Sequence, residues 1–434
     1  MRASMPSDSP ALRLAPGLRA LRHRNFRLYW SGQLVSLVGT WMQSVAQGWL
    51  MHRLTASAFM LGLLSFTQFL PVLPLALWAG VLADRTDKRK LLLVTQTLLL
   101  VQAVMIAVAV TTGVVKPWMV LLLALFYGCV NTFDLPARQS FVIELTGRED
   151  LSNGIALNSA AFNVARILGP AAAGLMLAAF GERGCFWINA LSFAAVLAAL
   201  SALRLPPRTE PADARPIGTT LKEGVRYAWG TPSIRQLLVL LAVCAGLGFQ
   251  YNVLLPVYAR DILHTGPREY GALLSAFGAG SLVAALRMTQ KLDRWALRRH
   301  LLVGLVLGGL GLLLFAWWHW LPAMLVGGAL AGFGLILYVS STNVLIQMTT
   351  EDRFRGRVMS LYTLMFVGTA PYGALLAGTI AQRFGAPVAT SLCAVMLLGG
   401  ALWVSRRLRQ IEARDVAEAA ALESENEAEA EQPS

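Results

Sequence analysis

Two charged side chains stand inside long apolar runs of the sequence, where an ionised group is unfavourable and is therefore a candidate for function. Asp134 shares one helical face with Tyr127, Asn131 and Arg138, which are placed around it at helical spacing. Arg166 lies in the next apolar run. A carboxylate in such a place either forms a static ion pair or carries a proton, and the partner expected for Asp134 is Arg138 or Arg166. If Arg166 does not pair with Asp134, the alternative is that it faces a cavity and binds an anionic substrate.

Uncharged polar side chains mark three further apolar runs. Polar atoms that face lipid are unfavourable, so these side chains are expected to face the interior of a helix bundle and to line a substrate cavity. The alternative is hydrogen bonding between helices, with the aromatic side chains in ordinary packing. Together with Tyr127 and Asn131, the cavity candidates are Gln33, Thr40, Trp41, Gln47, Gln250, Tyr251, Asn252, Tyr338 and Asn343.

The elements that carry these residues are typical of a membrane protein. The 434-residue chain is 56% hydrophobic and only 14% charged, too few charges to cover the surface of a soluble protein. Its apolar residues form about twelve runs that can each cross a bilayer as a helix, so the expected fold class is an all-α membrane protein. On these limits Asp134 lies within one turn of a helix end. The predicted runs are 28–51, 59–83, 91–112, 118–136, 155–180, 186–203, 235–259, 269–289, 300–318, 321–347, 358–383 and 388–404.

The runs form two groups, which predicts two bundles of about six helices each. The predicted organisation is a cytoplasmic N-terminal segment 1–27, a bundle 28–203, a linker 204–233 over the membrane surface, a second bundle 234–404 and an acidic tail 405–434. The two groups also repeat short motifs. The repeated pairs are Glu149–Gly154 with Glu351–Gly356, Asp84-Arg85 with Asp293-Arg294, and Pro170 with Pro371. Internal repeats of this kind are typical of transporters whose halves alternate access to a site near the bilayer midplane.

The distribution of basic residues sets the expected orientation. All but seven of the 37 Lys and Arg residues fall at one side of the predicted membrane, if the N-terminus is on that side. By the positive-inside rule both termini are cytoplasmic, and the expected location is a bacterial inner membrane. The same asymmetry accounts for the net charge of +13, so no nucleic-acid partner is expected.

Cysteine and histidine positions indicate neither a metal site nor a catalytic centre. The four cysteines are widely separated, and the five histidines stand at or beyond the ends of the runs without metal-ligand spacing. A phosphate-binding loop of the G-x-x-x-x-G-K type is also missing from the sequence. No cofactor is expected, and the chain is not expected to be an enzyme.

The loop after the second run carries a glycine, an acid and several basic residues. Gly80 is predicted to let helices approach closely, and Asp84 to meet the positive end of another helix. The basic residues, which are predicted to pair with this acid or with anionic lipid heads, are Arg85, Lys88 and Arg89. In this spacing the chain resembles the major facilitator superfamily, although Asp87 stands where that family has glycine. The plainer alternative is a basic loop that only sets topology.

The fifth run contains Gly169, Pro170 and Gly174. Proline removes a backbone hydrogen bond and bends a helix, and the glycines allow close helix contact. This pattern resembles antiporter-type members of the superfamily. The resemblance implies a mobile helix between the halves and favours export, whereas the alternative is an ordinary kinked helix.

A longer pattern narrows the resemblance. The segments 134–140, 149–151 and 157–159 look like the bacterial secretion-effector branch, which includes siderophore exporters and relatives of macrolide efflux proteins. The resemblance implies two pseudo-symmetric bundles with the first, fourth, seventh and tenth helices around the cavity. It also implies a monomeric secondary transporter that exports a small amphipathic molecule in exchange for protons, in contact with membrane lipids. Two alternatives remain: an importer or lysophospholipid transporter of the same fold, and a non-transporting sensor or scaffold, which needs neither repeat nor polar stripes.

Overall fold

The computed structural model describes residues 16–147, 149–204, 217–290 and 292–406, and all regular structure within these ranges is helical. The acidic tail beyond residue 406 and parts of the predicted N-terminal segment and linker lie outside the described residues.

The first half of the chain contains six continuous helical segments. These are α1 (Arg24–Thr55), α2 (Ala58–Phe69), α3 (Val72–Arg85), α4 (Lys88–Thr111), α5 (Pro117–Thr146) and α6 (Leu151–Ser201). Helices α2 and α3 meet at Pro71 and form one span. At 51 residues α6 would measure about 77 Å, far more than a bilayer core. It is broken at Gly181, whose φ of 67° and ψ of −171° are not helical, and therefore crosses twice.

The second half repeats this arrangement after an additional short helix. Its helices are α7 (Ile217–Gly230), α8 (Pro232–Gly248), α9 (Tyr251–Val257), α10 (Pro267–Arg287), α11 (Arg294–Trp317), α12 (Leu321–Thr349), α13 (Arg355–Gly368), α14 (Ala370–Phe384) and α15 (Ala386–Arg406). A π-helical turn, Tyr258–Ile262, extends α9 and completes the span that α8 begins. Helices α13 and α14 form another single span.

The number of spans agrees with the number of apolar runs. Nine described helices are long and apolar enough to cross a membrane. Counting α6 as two and adding α1 and the interrupted pair α8–α9 gives twelve, so the predicted all-α membrane fold is confirmed. We call the end of the bundle where α1 begins and α15 ends the terminal face, and the opposite end the far face.

Helix starts on the terminal face are fixed by aspartate caps. The Asp87 carboxylate accepts a hydrogen bond from the Lys90 amide at 3.0 Å and begins α4. Asp293 does the same for Ala296 at 2.7 Å and begins α11. Such caps satisfy amides that a helix start leaves unpaired. The departure from the family's glycine at position 87 therefore has a local structural function.

A short turn before α1 docks onto the start of α6. Asn153 makes two hydrogen bonds with this turn, accepting from the Ala20 amide and donating to the Gly17 carbonyl, both at 2.8 Å. Asp150 lies 2.8 Å from Arg22 Nη2 and 2.8 Å from His23 Nε2. The loop 149–154 thus holds the segment that precedes the first helix.

The repeated loop 351–356 holds the corresponding segment of the second half, which is α7. Tyr227 of α7 stacks on Phe354 with ring centroids 4.1 Å apart, and its hydroxyl accepts a hydrogen bond from the Glu351 amide at 3.2 Å. Arg357 donates to Glu223 at 2.6 Å. The segment predicted only as a linker therefore contains a helix docked to the bundle, and the repeated motif has the same structural task in both halves.

Candidate functional site

At the far face the two halves meet through helices α2 and α14. A Cβ atom added to Gly62 would lie 2.6 Å from the carbonyl oxygen of Ala374. One added to Gly378 would lie 2.7 Å from the carbonyl oxygen of Ala58. No side chain fits at such distances, so the backbones of the two helices touch.

A second backbone contact joins α6 to α10. A Cβ added to Gly271 would lie 2.7 Å from Cα of Gly174 and 2.8 Å from the carbonyl oxygen of Pro170. Gly174 thus allows the close contact that its sequence position predicts. Gly169 has a different neighbour, because an added Cβ there would lie 2.4 Å from Cβ of Trp41 in the same half.

A hydrogen bond between a histidine and an aspartate also links the halves at the far face. Nε2 of His52, near the end of α1, lies 3.0 Å from Oδ1 of Asp261 in the π-helical turn. The His52 side chain is only 2% exposed, whereas that of Asp261 is 47% exposed.

Toward the terminal face the halves diverge. A Cβ added to Gly80 of α3 or to Gly356 at the start of α13 would find no atom within 4 Å. The main contacts between halves in the described chain are instead the α2–α14 and α6–α10 pairs. In the described chain the contacts between the halves are therefore concentrated toward the far face. The prediction that Gly80 permits close helix approach is wrong for this conformation, because no helix lies against it.

The basic residues of the α3–α4 loop bind groups other than the predicted acid. Lys88 donates to Glu144 of α5 at 2.6 Å. Arg89 donates to the carbonyls of Leu200 and Ser201 at 2.9 Å each, where it complements the negative end of α6. Their pairing with Asp84 or with anionic lipid heads stays a prediction. Arg85 is exposed, and the Asp84 side chain lies outside the described residues.

Asp134 is the centre of a buried polar cluster in the first half. Its side chain is 0% exposed and forms an ion pair with Arg138. Oδ1 also accepts hydrogen bonds from Thr95 at 2.6 Å and Gln96 at 2.8 Å, both on α4. Because α5 continues to Thr146 through residues less apolar than those before it, Asp134 lies about 18 Å from the helix end. The prediction that it lies within one turn of that end is wrong.

Further polar atoms beside this cluster are buried without a protein partner. They include the Tyr29 hydroxyl and both amide atoms of Gln33 on α1. Tyr29 and Tyr127 both interact electrostatically with the Asp134–Arg138 pair. Buried polar groups without partners are rare and often mark functional sites. Sequence analysis selected Gln33 but missed Tyr29, although the two stand one helical turn apart.

Arg166 does not pair with Asp134. One of its terminal nitrogens, Nη2, donates to Asn163 Oδ1 at 3.0 Å, and its Nε is buried without a partner. It also interacts electrostatically with Tyr251 of α9, in the opposite half. Of the two partners expected for Asp134, the structure therefore selects Arg138, one helical turn away.

The remaining cavity candidates divide into packed and accessible residues. Tyr338 is 0% exposed and donates to the Leu240 carbonyl at 3.1 Å, so it joins helices instead of lining a cavity. Gln250 is buried and donates to Gly246 at 2.6 Å, and Asn343 accepts from Gln347 at 2.6 Å. Besides Asn343, the half-buried or exposed candidates are Thr40, Trp41, Tyr127, Asn131 and Asn252.

Gln47 and Tyr251 are nearly buried at the interface of helices. Gln47 has an amide nitrogen without a protein partner. Tyr251 stacks on Phe277 with ring centroids 3.7 Å apart.

A hydrogen-bond network missed by sequence analysis joins three helices of the first half. Gln43 of α1 donates to Gln102 of α4 at 3.1 Å and accepts from Asn189 of α6 at 2.7 Å. Ser192 donates to the Asn189 carbonyl at 2.7 Å. The four-residue spacing of Gln43 and Gln47 was the available signal. The hydrogen-bonding groups of these side chains are used within the network, which indicates a structural role.

A family model described as transmembrane secretion effector matches residues 15–432, nearly the whole chain. The chain belongs to this family. Among its relatives, the multidrug efflux pump Tap of Mycolicibacterium fortuitum is 29% identical over 87% of this chain and 95% of the relative. The staphyloferrin A transporter of Staphylococcus aureus is 26% identical over 83% of this chain and 90% of that protein.

The solved structures agree with this assignment. The nucleoside transporter NupG matches with a TM-score of 0.72 at 11% identity, over 88% of this chain and 98% of that chain, which shows a common fold. This secretion effector is therefore a multi-pass membrane transporter of the major facilitator superfamily and not an enzyme. The family predicted from the sequence motifs is confirmed.

Proposed function

We propose that this secretion effector exports a small amphipathic molecule across a bacterial inner membrane, by proton antiport with alternating access. The observation that carries the proposal is that the halves touch through α2–α14 and α6–α10 toward the far face, whereas a Cβ added to Gly80 or Gly356 toward the terminal face would have no neighbour within 4 Å. Export is supported by the name of Tap, a multidrug efflux pump.

Orientation follows from the basic residues. The loops of the terminal face carry nearly all Lys and Arg, which assigns this face to the cytoplasm by the positive-inside rule. In that orientation the ends of the halves that have fewer mutual contacts face the cytoplasm, where an exporter loads its substrate. The far face is then the external gate, closed by the glycine contacts and by His52 with Asp261.

Asp134 is the residue that we propose for proton coupling. It is a fully buried acid about 18 Å inside α5, held by Arg138, Thr95 and Gln96. Protonation would remove the charge that holds Arg138 and would loosen the contact between α4 and α5. A transmembrane potential supplies about 2.3 kcal/mol per charge and 100 mV, which is enough to bias such a change. A static ion pair, the alternative, would stabilise the bundle without moving protons.

The test uses proteoliposomes that contain the purified protein and an internal pH indicator. A panel of amphipathic compounds is added, and proton movement is recorded together with compound movement under an imposed pH gradient. We expect at least one compound to move against the protons, and Asp134→Asn to abolish the coupling. Glu144→Gln, which breaks an exposed ion pair on the same helix, is the matched control and should remain coupled. Compound movement that is indifferent to the pH gradient, or that follows the protons inward, would contradict the proposal.

A further inference from the structure

Arg166 is a cation at mid-depth in the membrane that has no acidic partner among the described residues. It lies about 22 Å from the start of α6 at Leu151 and about 22 Å from the break at Gly181, too deep for its side chain to reach either face. Within the described part of the chain no ion pair includes it, and its hydrogen bond to Asn163 leaves Nε buried and unused. An unpaired guanidinium at this depth is unfavourable by at least a few kcal/mol and marks a functional site.

The buried acid of the same half is already occupied. Asp134 is held by Arg138 and receives two further hydrogen bonds from α4. Its oxygens therefore have no role in neutralising Arg166. The negative charge that Arg166 lacks has to come from outside the described chain.

Arg166 lies at the boundary between the two halves. Tyr251 of α9, in the opposite half, is close enough to feel its charge and is nearly buried in a stack with Phe277 of α10. Asn252, the next residue, is exposed. The backbone of Arg166 borders the seam between halves, because a Cβ added to Gly278 of α10 would lie 3.3 Å from its carbonyl oxygen. A ligand held here would contact both halves, as alternating access requires.

We propose that Arg166, oriented by Asn163, is the anion-binding residue of the transport site and that the substrate class is amphipathic molecules bearing a carboxylate. The proposal rests on the transport function proposed above. A guanidinium offers a planar set of donors that fits a carboxylate, and Asn163 fixes that plane while leaving Nε free to donate. A cationic amphipath would be repelled at this point.

The test measures binding to the purified protein in detergent, without any gradient. The probes are aromatic carboxylates, among them 1-pyrenebutanoate, naphthylacetate and diphenylacetate, each paired with its uncharged primary amide. We expect acids of the panel to bind and to lose affinity about tenfold or more as amides, since a charge-assisted hydrogen bond is lost. Arg166→Gln should reduce acid binding by a similar factor while leaving amide binding unchanged. Arg183→Gln, at an exposed arginine on the same helix, should change neither.

Two further variants separate binding from folding. Arg166→Lys keeps the charge but not the planar donors and should retain intermediate affinity for acids. Asn163→Ala leaves the arginine in place and should weaken acid binding less than Arg166→Gln. All variants are compared by melting temperature and elution volume, and only those that elute as wild type are scored. Equal affinity for acids and amides, unchanged acid binding in Arg166→Gln, or no bound acid in the panel would overturn the proposal.

The outcome for transport is independent of this one. Charge-selective binding that depends on Arg166, without proton-coupled movement, would leave the anion site standing and refute the proposed antiport. Proton-coupled export of neutral or cationic compounds that is unaffected by Arg166→Gln would support the proposed antiport and refute the anion site.

Discussion

Nε2 of His52 lies 2.9 Å from Oδ2 of Asp261, and the two residues belong to opposite halves of the molecule. Because the imidazole is buried while the carboxylate is partly exposed, the pair forms at the rim of the closed far face. It can exist only while α1 and the π-helical turn after α9 are together. The pair is therefore a contact of one conformational state and should influence how much that state is populated.

Removing this pair should open the far face. A hydrogen-bonded pair with one exposed member contributes about 1 kcal/mol, so His52→Ala or Asp261→Asn should shift the ratio of states by up to about fivefold. Spin labels at Trp118 and Trp318, exposed positions that flank the far face in opposite halves, would report a growing population of longer distances. Arg53→Ala is the control, since Arg53 pairs with Glu182 within one half. Identical distance distributions in His52→Ala and wild type would show that the pair does not stabilise closure.

Closure of the far face should also depend on the glycine contact between α6 and α10. Gly271→Ala places a methyl group against the backbone of Gly174, and overpacking of this kind costs about 1–3 kcal/mol. The same labels should report loss of the closed population. Gly399→Ala, at a helical glycine with no atom within 4 Å of an added Cβ, should leave the distances unchanged. If the far face stays closed in Gly271→Ala, the prediction is wrong, and α6 and α10 accommodate the methyl group by a small local shift.

Breaking the Asp134–Arg138 pair from one side should destabilise the protein more than removing both charges. A buried charge left without its partner costs about 3 kcal/mol, so Asp134→Ala and Arg138→Ala should each lower the free energy of unfolding by about that amount. The double variant should recover part of the loss, as measured by unfolding in mixed detergent micelles. If Asp134 also carries protons, this recovery will not restore proton coupling. Strictly additive losses would refute a direct interaction.

Docking of the turn before α1 should depend on pH through Asp150. The hydrogen bond with His23, followed by the charge of Arg22, outweighs partial burial and lowers the pKa of this carboxyl. A lowered pKa in the folded state means that the docking energy is present above the ordinary carboxyl pKa of about 4 and is lost as the pH falls through the lower value. A spin label at Leu18 should be immobile at pH 7 and gain mobility as the solution is acidified below that range. In Asp150→Asn the label should be mobile at both pH values, and a wild-type label that stays immobile in acid would contradict the assignment.

Much of the fold followed from the sequence because spanning a bilayer requires long apolar helices. The limits of single helices followed less well, since α5 continues beyond its apolar run to Thr146 and carries Asp134 deeper than expected. Helical spacing put Arg138 on the same face as Asp134 but left Arg166 as a second possible partner, and only the packing of the helices decided between them.

Contacts between distant segments were beyond the reach of sequence patterns. The partner of Lys88 is Glu144, and that of His52 is Asp261, each decided by how helices pack. The surroundings of Gly80 depend further on the conformation, because its neighbours change when the halves move. Tyr338 was selected for its polar hydroxyl, but this group is satisfied by a carbonyl of a neighbouring helix.

The docked segments before α1 and α8 also have a consequence for biosynthesis. The turn at residues 16–22 docks onto Asn153, and α7 docks onto Phe354. Neither segment can dock until more than a hundred further residues have left the ribosome. At about 5–20 residues per second this delay lasts from several seconds to about half a minute. In each half the early segment docks onto a loop of that same half, so this step does not require the other half. The two halves are therefore completed one after the other. In each half, the last step is the docking of its earliest segment onto a loop that is synthesised later.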